Sequence, residues 1–311
     1  MIFVVCANPA LDRMLVLEEV ALDEVNRAKD VSVTVGGKGV NVARAIRTLG
    51  GEARLLLFLG GKIGESIREN LERECFSFSA WPLQDETRIT TILHETRIGR
   101  HTVINELGPL VPLVTSGKLL RYLEETLQEG DYLVLSGSLP RGMRLDFYAL
   151  SVEVARKKGA RAVVDASGES LRRALQNPPF MVKPNVREAE EVIDFPISSL
   201  EDKLRAVGFF EARGVECVVL SDGPRGVVAG WRGKRWYVGL RKPFHGEYFI
   251  GSGDTLVGAM VFCLTQGAPF LQALRFGVSC GLANTFSPGA GVFDPKIIPE
   301  CEKVVFVEPI S

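Results

Sequence analysis

The sequence predicts an α/β fold of three layers, a mostly parallel central sheet between two layers of helices, with a small β lid attached. Three observations predict it. Short, continuous apolar runs recur along the chain, amphipathic helical patterns lie between them and stop at glycine, and two regions, 11–35 and 87–107, break that rhythm. A strand that is apolar along its whole length is buried on both faces, as in a parallel sheet covered by helices.

In chain order, IFVVC from Ile2 is the first such strand, and the segment 11–35 after it is polar and β-branched with loose alternation. That pattern suits exposed antiparallel strands. VNVARAIRTLG places Val42, Ala43, Ile46 and Leu49 at helical spacing and ends on Gly50, and RLLLFLG from Arg54 is the next buried strand. Segment 87–107 repeats the lid pattern. YLVLSG from Tyr132, ARAVVDA from Ala160, FMVK from Phe180 and ECVVLSDG from Glu216 complete the apolar runs, with LDFYALSVEVARKKG from Leu145 as a helix closed by Gly159. No linker, repeat or low-complexity segment interrupts the 311 residues, which therefore predict a single domain, 1–311, carrying the lid.

Composition narrows the partners. A chain that is 46% hydrophobic and 24% charged with a net charge of −1 gives no electrostatic reason to expect nucleic acid or an anionic membrane. MIFVVCANPALDR lacks a basic leader and no stretch reaches bilayer length, so a cytoplasmic protein acting on small molecules is expected. Six cysteines are scattered without a C-x-x-C pair, and His94, His101 and His245 make no ligand pattern.

The segment GSGDTLVG, Gly251 to Gly258, carries the most chemistry. If Asp254 opens a helix, the free N–H groups of Gly251, Ser252 and Gly253 converge on one point that suits a transferring phosphoryl group, with a carboxylate beside it. Alone, the eight residues suit a ligand-free aspartate cap better. GGKGVN, Gly36 to Asn41, allows close backbone approach and adds Lys38. Glycines for tight packing account for it equally well. It is no Walker A loop, because Ser32 and Gly39 occupy positions needing Gly and Ser or Thr, and no dinucleotide fingerprint, because Val42 stands where a third glycine belongs. KPNVRE, Lys183 to Glu188, has capping-box spacing between Asn185 and Glu188, and it also offers a cation and a carboxylate to a nucleotide's phosphates and metal. SDGPRG from Ser221 and VLSGSLP from Val134 likewise end strands in small polar residues, where open parallel sheets bind ligands. GVSCG, Gly277 to Gly281, has the form of a hydrolase nucleophile elbow, but it lies within a helical pattern and no histidine follows Ser279.

Taken together, these segments resemble the ribokinase superfamily, and in particular the PfkB family of carbohydrate kinases, over nearly the whole chain. GGKGVNVARAIRTLG resembles the first family signature and FIGSGDTLVGAM the second. NPALD at 8, NR at 26, TRI at 87, TVINELGP at 102, SGSLPRG at 136, DASGESL at 165 and KPNVRE at 183 resemble the branch acting on sugar phosphates, such as 1-phosphofructokinases and tagatose-6-phosphate kinases. The resemblance implies a ribokinase-like fold and a kinase using ATP and Mg2+, with room for a monovalent cation such as K+. It implies Asp254 as catalytic base beside an anion hole of Gly251, Ser252 and Gly253. It implies that Asp12, Gly37, Lys38 and Asn41 hold the sugar and that Lys38, Arg88, Ser138 and Arg27 meet its phosphate. Lys183, Asn185, Glu188, Ser221, Gly223, Gly226 and Asn284 are implied for ATP, with Glu188 organising the metal indirectly. Fructose 1-phosphate is the expected acceptor, with tagatose 6-phosphate or fructose 6-phosphate as alternatives and a non-catalytic sugar-phosphate sensor as the other class. The lid's exposed edges suggest a homodimer. Three positions depart from the family pattern: Ser252 for alanine, Asp222 in the donor turn, and Leu107 for the lid proline.

Overall fold

The computed structural model describes residues 1–242 and 246–310, so His245 lies outside the described residues. Ten strands form one sheet in the order Val305–Ile310, Lys234–Leu240, Val227–Trp231, Cys217–Ser221, Met181–Val182, Arg161–Asp165, Tyr132–Ser136, Ile2–Cys6, Arg54–Gly60, Ser77–Leu83. From Cys217–Ser221 to Ser77–Leu83 every pairing is parallel. The strands beyond Cys217–Ser221 pair antiparallel and form a hairpin extension that the apolar-run pattern did not announce. Its tight turn takes a positive φ at both Arg232 and Gly233, the twist that a two-residue hairpin needs. Pro82, which has no N–H to donate, sits in the edge strand Ser77–Leu83.

Both faces of the sheet are covered. Along Ile2–Cys6, Phe3 and Val5 enter one core with Leu119, Leu123, Tyr148 and Val207, while Ile2 and Val4 enter the other with Ile46, Ile67, Leu256 and Leu274. This period of two is what full burial of a strand between helices requires. On the second face the Ser252–Thr265 helix lies close against Lys38–Thr48, because a Cβ on Gly258 would come within 2.7 Å of the Val42 carbonyl. The G-x-S-x-G segment lies inside the Phe270–Asn284 helix, where Gly277 gives Met260 and Leu256 room and Ser279 donates back to the Arg275 carbonyl at 2.9 Å. It is a packing face, as its sequence context predicts.

The lid is a separate sheet of four strands, Asp30–Gly36, Ala10–Leu17, Arg88–Glu95 and Arg100–Asn105. Its pairing differs from expectation: Ala10–Leu17 and Arg88–Glu95 run parallel, in register from Ala10 against Arg88 to Leu17 against Glu95. The chain passes through two strands of the main sheet and two helices between them, and such a long crossover permits parallel pairing. The expected lid bounds also include residues 18–29, which form a connection rather than a strand.

Candidate active site

A cleft of about 1320 Å³ opens where the carboxyl ends of the parallel strands face the lid. Topology explains its position. Cys6, Ser136, Asp165 and Ser221 are the last residues of their strands, and Lys183 follows Met181–Val182, so five separate chain segments deliver polar groups to one rim.

The helix at the centre of the cleft starts at Ser252, with Gly251 before it in the left-handed region at φ 82°. A Cβ on Gly251 would also collide with Ala290, so glycine is required there twice over. Asp254 is therefore the third residue of the helix and not its cap. Its carboxylate makes no capping bond; Oδ2 instead accepts from Asn41 Nδ2 at 2.8 Å. The ligand-free capping role that the eight residues suggested alone does not hold in the folded chain. Asp254 is buried, and burial together with the nearby Asp165 charge pushes its carboxyl up to about 6, while Lys38 and Asn41 pull it back.

Asp165, absent from the candidate set derived from sequence, organises the cations. It is fully buried, with Oδ1 3.2 Å from both Lys38 Nζ and Lys183 Nζ and Oδ2 accepting from Ser136 Oγ at 3.4 Å. Burial raises its carboxyl, but the two ammonium groups outweigh that and hold it below the usual carboxylate range. Lys38 also meets Glu188 Oε1 at 2.7 Å; burial lowers its affinity for protons, but Asp165, Glu188 and Asp254 together raise it well above that of a free lysine. Lys183 lies beneath the Gly251–Gly253 turn, since a Cβ on Gly253 would stand 3.2 Å from its Nζ. The signal for Asp165 was an aspartate ending the ARAVVDA strand, at the same edge as the residues that were selected.

On the lid side, Asp12, Gly37, Asn41, Arg88 and Ser138 line the cleft. Gly37, at φ 105°, passes so close to Cys6 that a Cβ would lie 2.9 Å from its Sγ. Asp12 is pushed up to about 6 by burial, with Arg88 and a hydrogen bond to Thr90 opposing. Asn41 keeps an unpaired buried Oδ1. On the opposite side, Lys183, Asn185, Glu188, Ser221, Gly223 and Gly226 line the cleft. The capping box is present: Asn185 Oδ1 accepts from Glu188 N and Glu188 Oε2 from Asn185 N, each at 2.9 Å. The other Glu188 oxygen still reaches Lys38, so one side chain caps a helix and joins the site. Asp222 is neutralised by Lys203 at 2.5 Å and Arg225 at 2.8 Å, which removes the bare carboxylate that its sequence position suggested. Leu107 is 78% exposed on the cleft's lid side.

Two expected residues are not brought to the cleft. Arg27 lies exposed in the 18–29 connection. Asn284 is fully buried behind the wall, where Oδ1 accepts from Gly291 N at 2.8 Å and Thr255 Oγ1 at 3.1 Å and Nδ2 donates to the Ile250 carbonyl at 3.0 Å. It braces the loops around Gly251 and is not among the residues that line the cleft.

Known structures share this fold. Phosphofructokinase-2 of Escherichia coli, solved in complex with substrates and products, is 28% identical with a TM-score of 0.91 over 97% of this chain and 98% of its own. A Thermotoga maritima protein described as "Possible 1-phosphofructokinase" is 25% identical with a TM-score of 0.91 over 100% of both chains. No helix among the described residues is long and apolar enough to cross a membrane. The family model for pfkB family carbohydrate kinases matches residues 5–297. With that match over nearly its whole length and a ribokinase-like fold whose cleft gathers both signature segments, the chain is a sugar kinase and belongs to the pfkB family of carbohydrate kinases.

Proposed function

We propose that this kinase transfers the γ-phosphoryl group of ATP to a hydroxyl of a ketohexose monophosphate, with fructose 1-phosphate as acceptor and fructose 1,6-bisphosphate as product. The observation that carries the reading is Asp254, buried beside the Gly251–Gly253 turn between a lid side holding Arg88 and a donor side holding Lys183. Asp254 takes the proton of the acceptor hydroxyl as that oxygen bonds to the γ-phosphorus, and the bond to the bridging oxygen breaks to release ADP. The N–H groups of the turn and Lys183 hold the charge that develops on the transferring oxygens. Arg88 and Ser138 hold the acceptor's own phosphate, Asp12 and Asn41 its hydroxyls, and the lid excludes water.

Kinases of this family use ATP with Mg2+. Among the described residues no group of three or more His, Cys, Asp or Glu could hold a metal unaided. Glu188, which lines the cleft beside Lys183, is the carboxylate that would arrange the shell of Mg2+, an ion that keeps waters and binds chiefly through substrate phosphates. When bound, the ion offsets charge on the β- and γ-phosphates. A monovalent cation such as K+ belongs to the same proposal, since a phosphofructokinase-2 of 27% identity was solved with potassium.

Fructose 6-phosphate is the second reading, favoured by the 29% identity to a phosphofructokinase-2 solved with that sugar. Steady-state assays with ATP against fructose 1-phosphate, fructose 6-phosphate, tagatose 6-phosphate and free sugars decide between them. Turnover of free sugars alone would refute the phosphate clamp, and the absence of any turnover would favour a sensor. We further propose one domain, a cytoplasmic location, and a homodimer that covers Val31, Val33 and Ile104, all exposed on the lid face turned away from the cleft. Val33→Glu with Ile104→Lys should then yield a monomer in sedimentation; a wild-type monomer would refute the dimer.

A further inference from the structure

Asn8, in the NPALD segment, takes no part in the chemistry above, yet it sits at the centre of the acceptor half and is only 7% exposed. Its main-chain carbonyl accepts from Arg88 Nε at 3.3 Å and Nη2 at 3.1 Å. Its side-chain Nδ2 donates to Ser138 Oγ at 3.1 Å. One residue thus holds both groups that meet the acceptor phosphate.

The direction of the second bond has a consequence for the ligand. A hydroxyl has one hydrogen and two lone pairs. Ser138 Oγ already accepts from Asn8, and no other hydrogen bond to that hydroxyl is made among the described residues, so its hydrogen is left for the cleft, into which Ser138 is exposed. An anion between Arg88 and Ser138 then meets donors from both sides, whereas a group that must itself donate finds only the second Ser138 lone pair. The amide is also confined. Asn8 Oδ1 is buried without a hydrogen-bond partner against Gly108, a residue at φ 84° where any Cβ would collide with it.

We propose that Asn8 is a positioning residue of the acceptor-phosphate subsite: its carbonyl fixes the Arg88 guanidinium and its amide, by donating to Ser138 Oγ, turns that hydroxyl's hydrogen toward the cleft, so that both groups present donors to a phosphorylated sugar. This rests on the reading that Arg88 and Ser138 hold that phosphate.

The test is a double-mutant cycle on KM and kcat with fructose 1-phosphate and fructose 6-phosphate, using whichever is turned over. Asn8→Asp keeps the shape of the side chain but only accepts, so it forces the Ser138 hydrogen inward. It should raise the acceptor KM about 10–100-fold, the range for a hydrogen bond to a charged group, with a smaller change in kcat and none in the KM for ATP. In the Ser138→Ala background most of that rise should vanish. An equal rise in both backgrounds would mean that the added charge acts directly and would overturn the inference, as would an unchanged KM in Asn8→Asp. Asn8→Leu, which carries no charge, should raise KM by a smaller factor, and far-ultraviolet circular dichroism checks that each variant folds. Loss of the phosphate-subsite reading is separately visible: Arg88→Ala and Ser138→Ala would then leave the acceptor KM unchanged, overturning both.

Discussion

Asp254→Asn should separate activity from stability in opposite directions. The substitution keeps the shape of the side chain and its bond to Asn41, because an amide oxygen can accept from Nδ2 as the carboxylate oxygen does at 2.8 Å. What it removes is the proton acceptor, and general-base contributions are on the order of 10²–10⁴ in rate. The expected kcat is therefore lower by about 10³, with the acceptor KM changed little. Stability moves the other way. Burial and Asp165 push the Asp254 carboxyl from 3.8 to about 6, so the folded state binds this proton more tightly than the unfolded chain does. The resulting penalty is absent below the unfolded value, grows as pH rises from 3.8 to about 6, and is complete above that. It amounts to about 3 kcal/mol at neutral pH, relief from which should make the asparagine variant the more stable protein. Coupled-enzyme kinetics and urea unfolding at pH 5 and 7.5 measure both effects. A variant retaining more than about a tenth of wild-type kcat would refute the assigned role, and one that unfolds more easily than wild type at pH 7.5 would refute the electrostatic argument.

Three further outcomes follow from the same geometry. The kcat/KM of the free enzyme should rise with pH through about 6, where the carboxyls of Asp254 and Asp12 both ionise, and a profile flat from pH 5 to 7 would contradict this. Lys183→Met leaves Asp165 with Lys38 alone, 3.2 Å away, and should lower stability toward the small end of the roughly 3–5 kcal/mol range for a broken buried pair while raising the KM for ATP; urea titration and ATP kinetics check it. Asn284→Ala orphans the Gly291 N–H and the Ile250 carbonyl, so unfolding should become easier by about 1–3 kcal/mol, with an ATP KM that changes less than for Lys183→Met, as thermal melts and kinetics would report.

The chain's local chemistry was readable before any coordinates. Continuous apolar runs announce strands buried on two faces, glycine ends announce helix stops, and turns such as Gly36–Asn41 and Gly251–Asp254 carry their backbone freedom in residue type alone. That sufficed for the parallel sheet, the second sheet and most of the cleft wall. Tertiary structure decided what depends on partners remote in sequence. Asn41 and Asp254 are 213 residues apart and Lys38 and Glu188 150 apart, so neither the pairing that frees Asp254 from a capping role nor the Asp165 hub is encoded in any local pattern. The parallel pairing inside the lid, the burial of Asn284 and the neutralisation of Asp222 by Lys203 have the same origin. A residue's type and immediate neighbours set the conformations and charges it can adopt, whereas hydrogen-bond partner, burial and proton affinity belong to the space that other segments enclose around it.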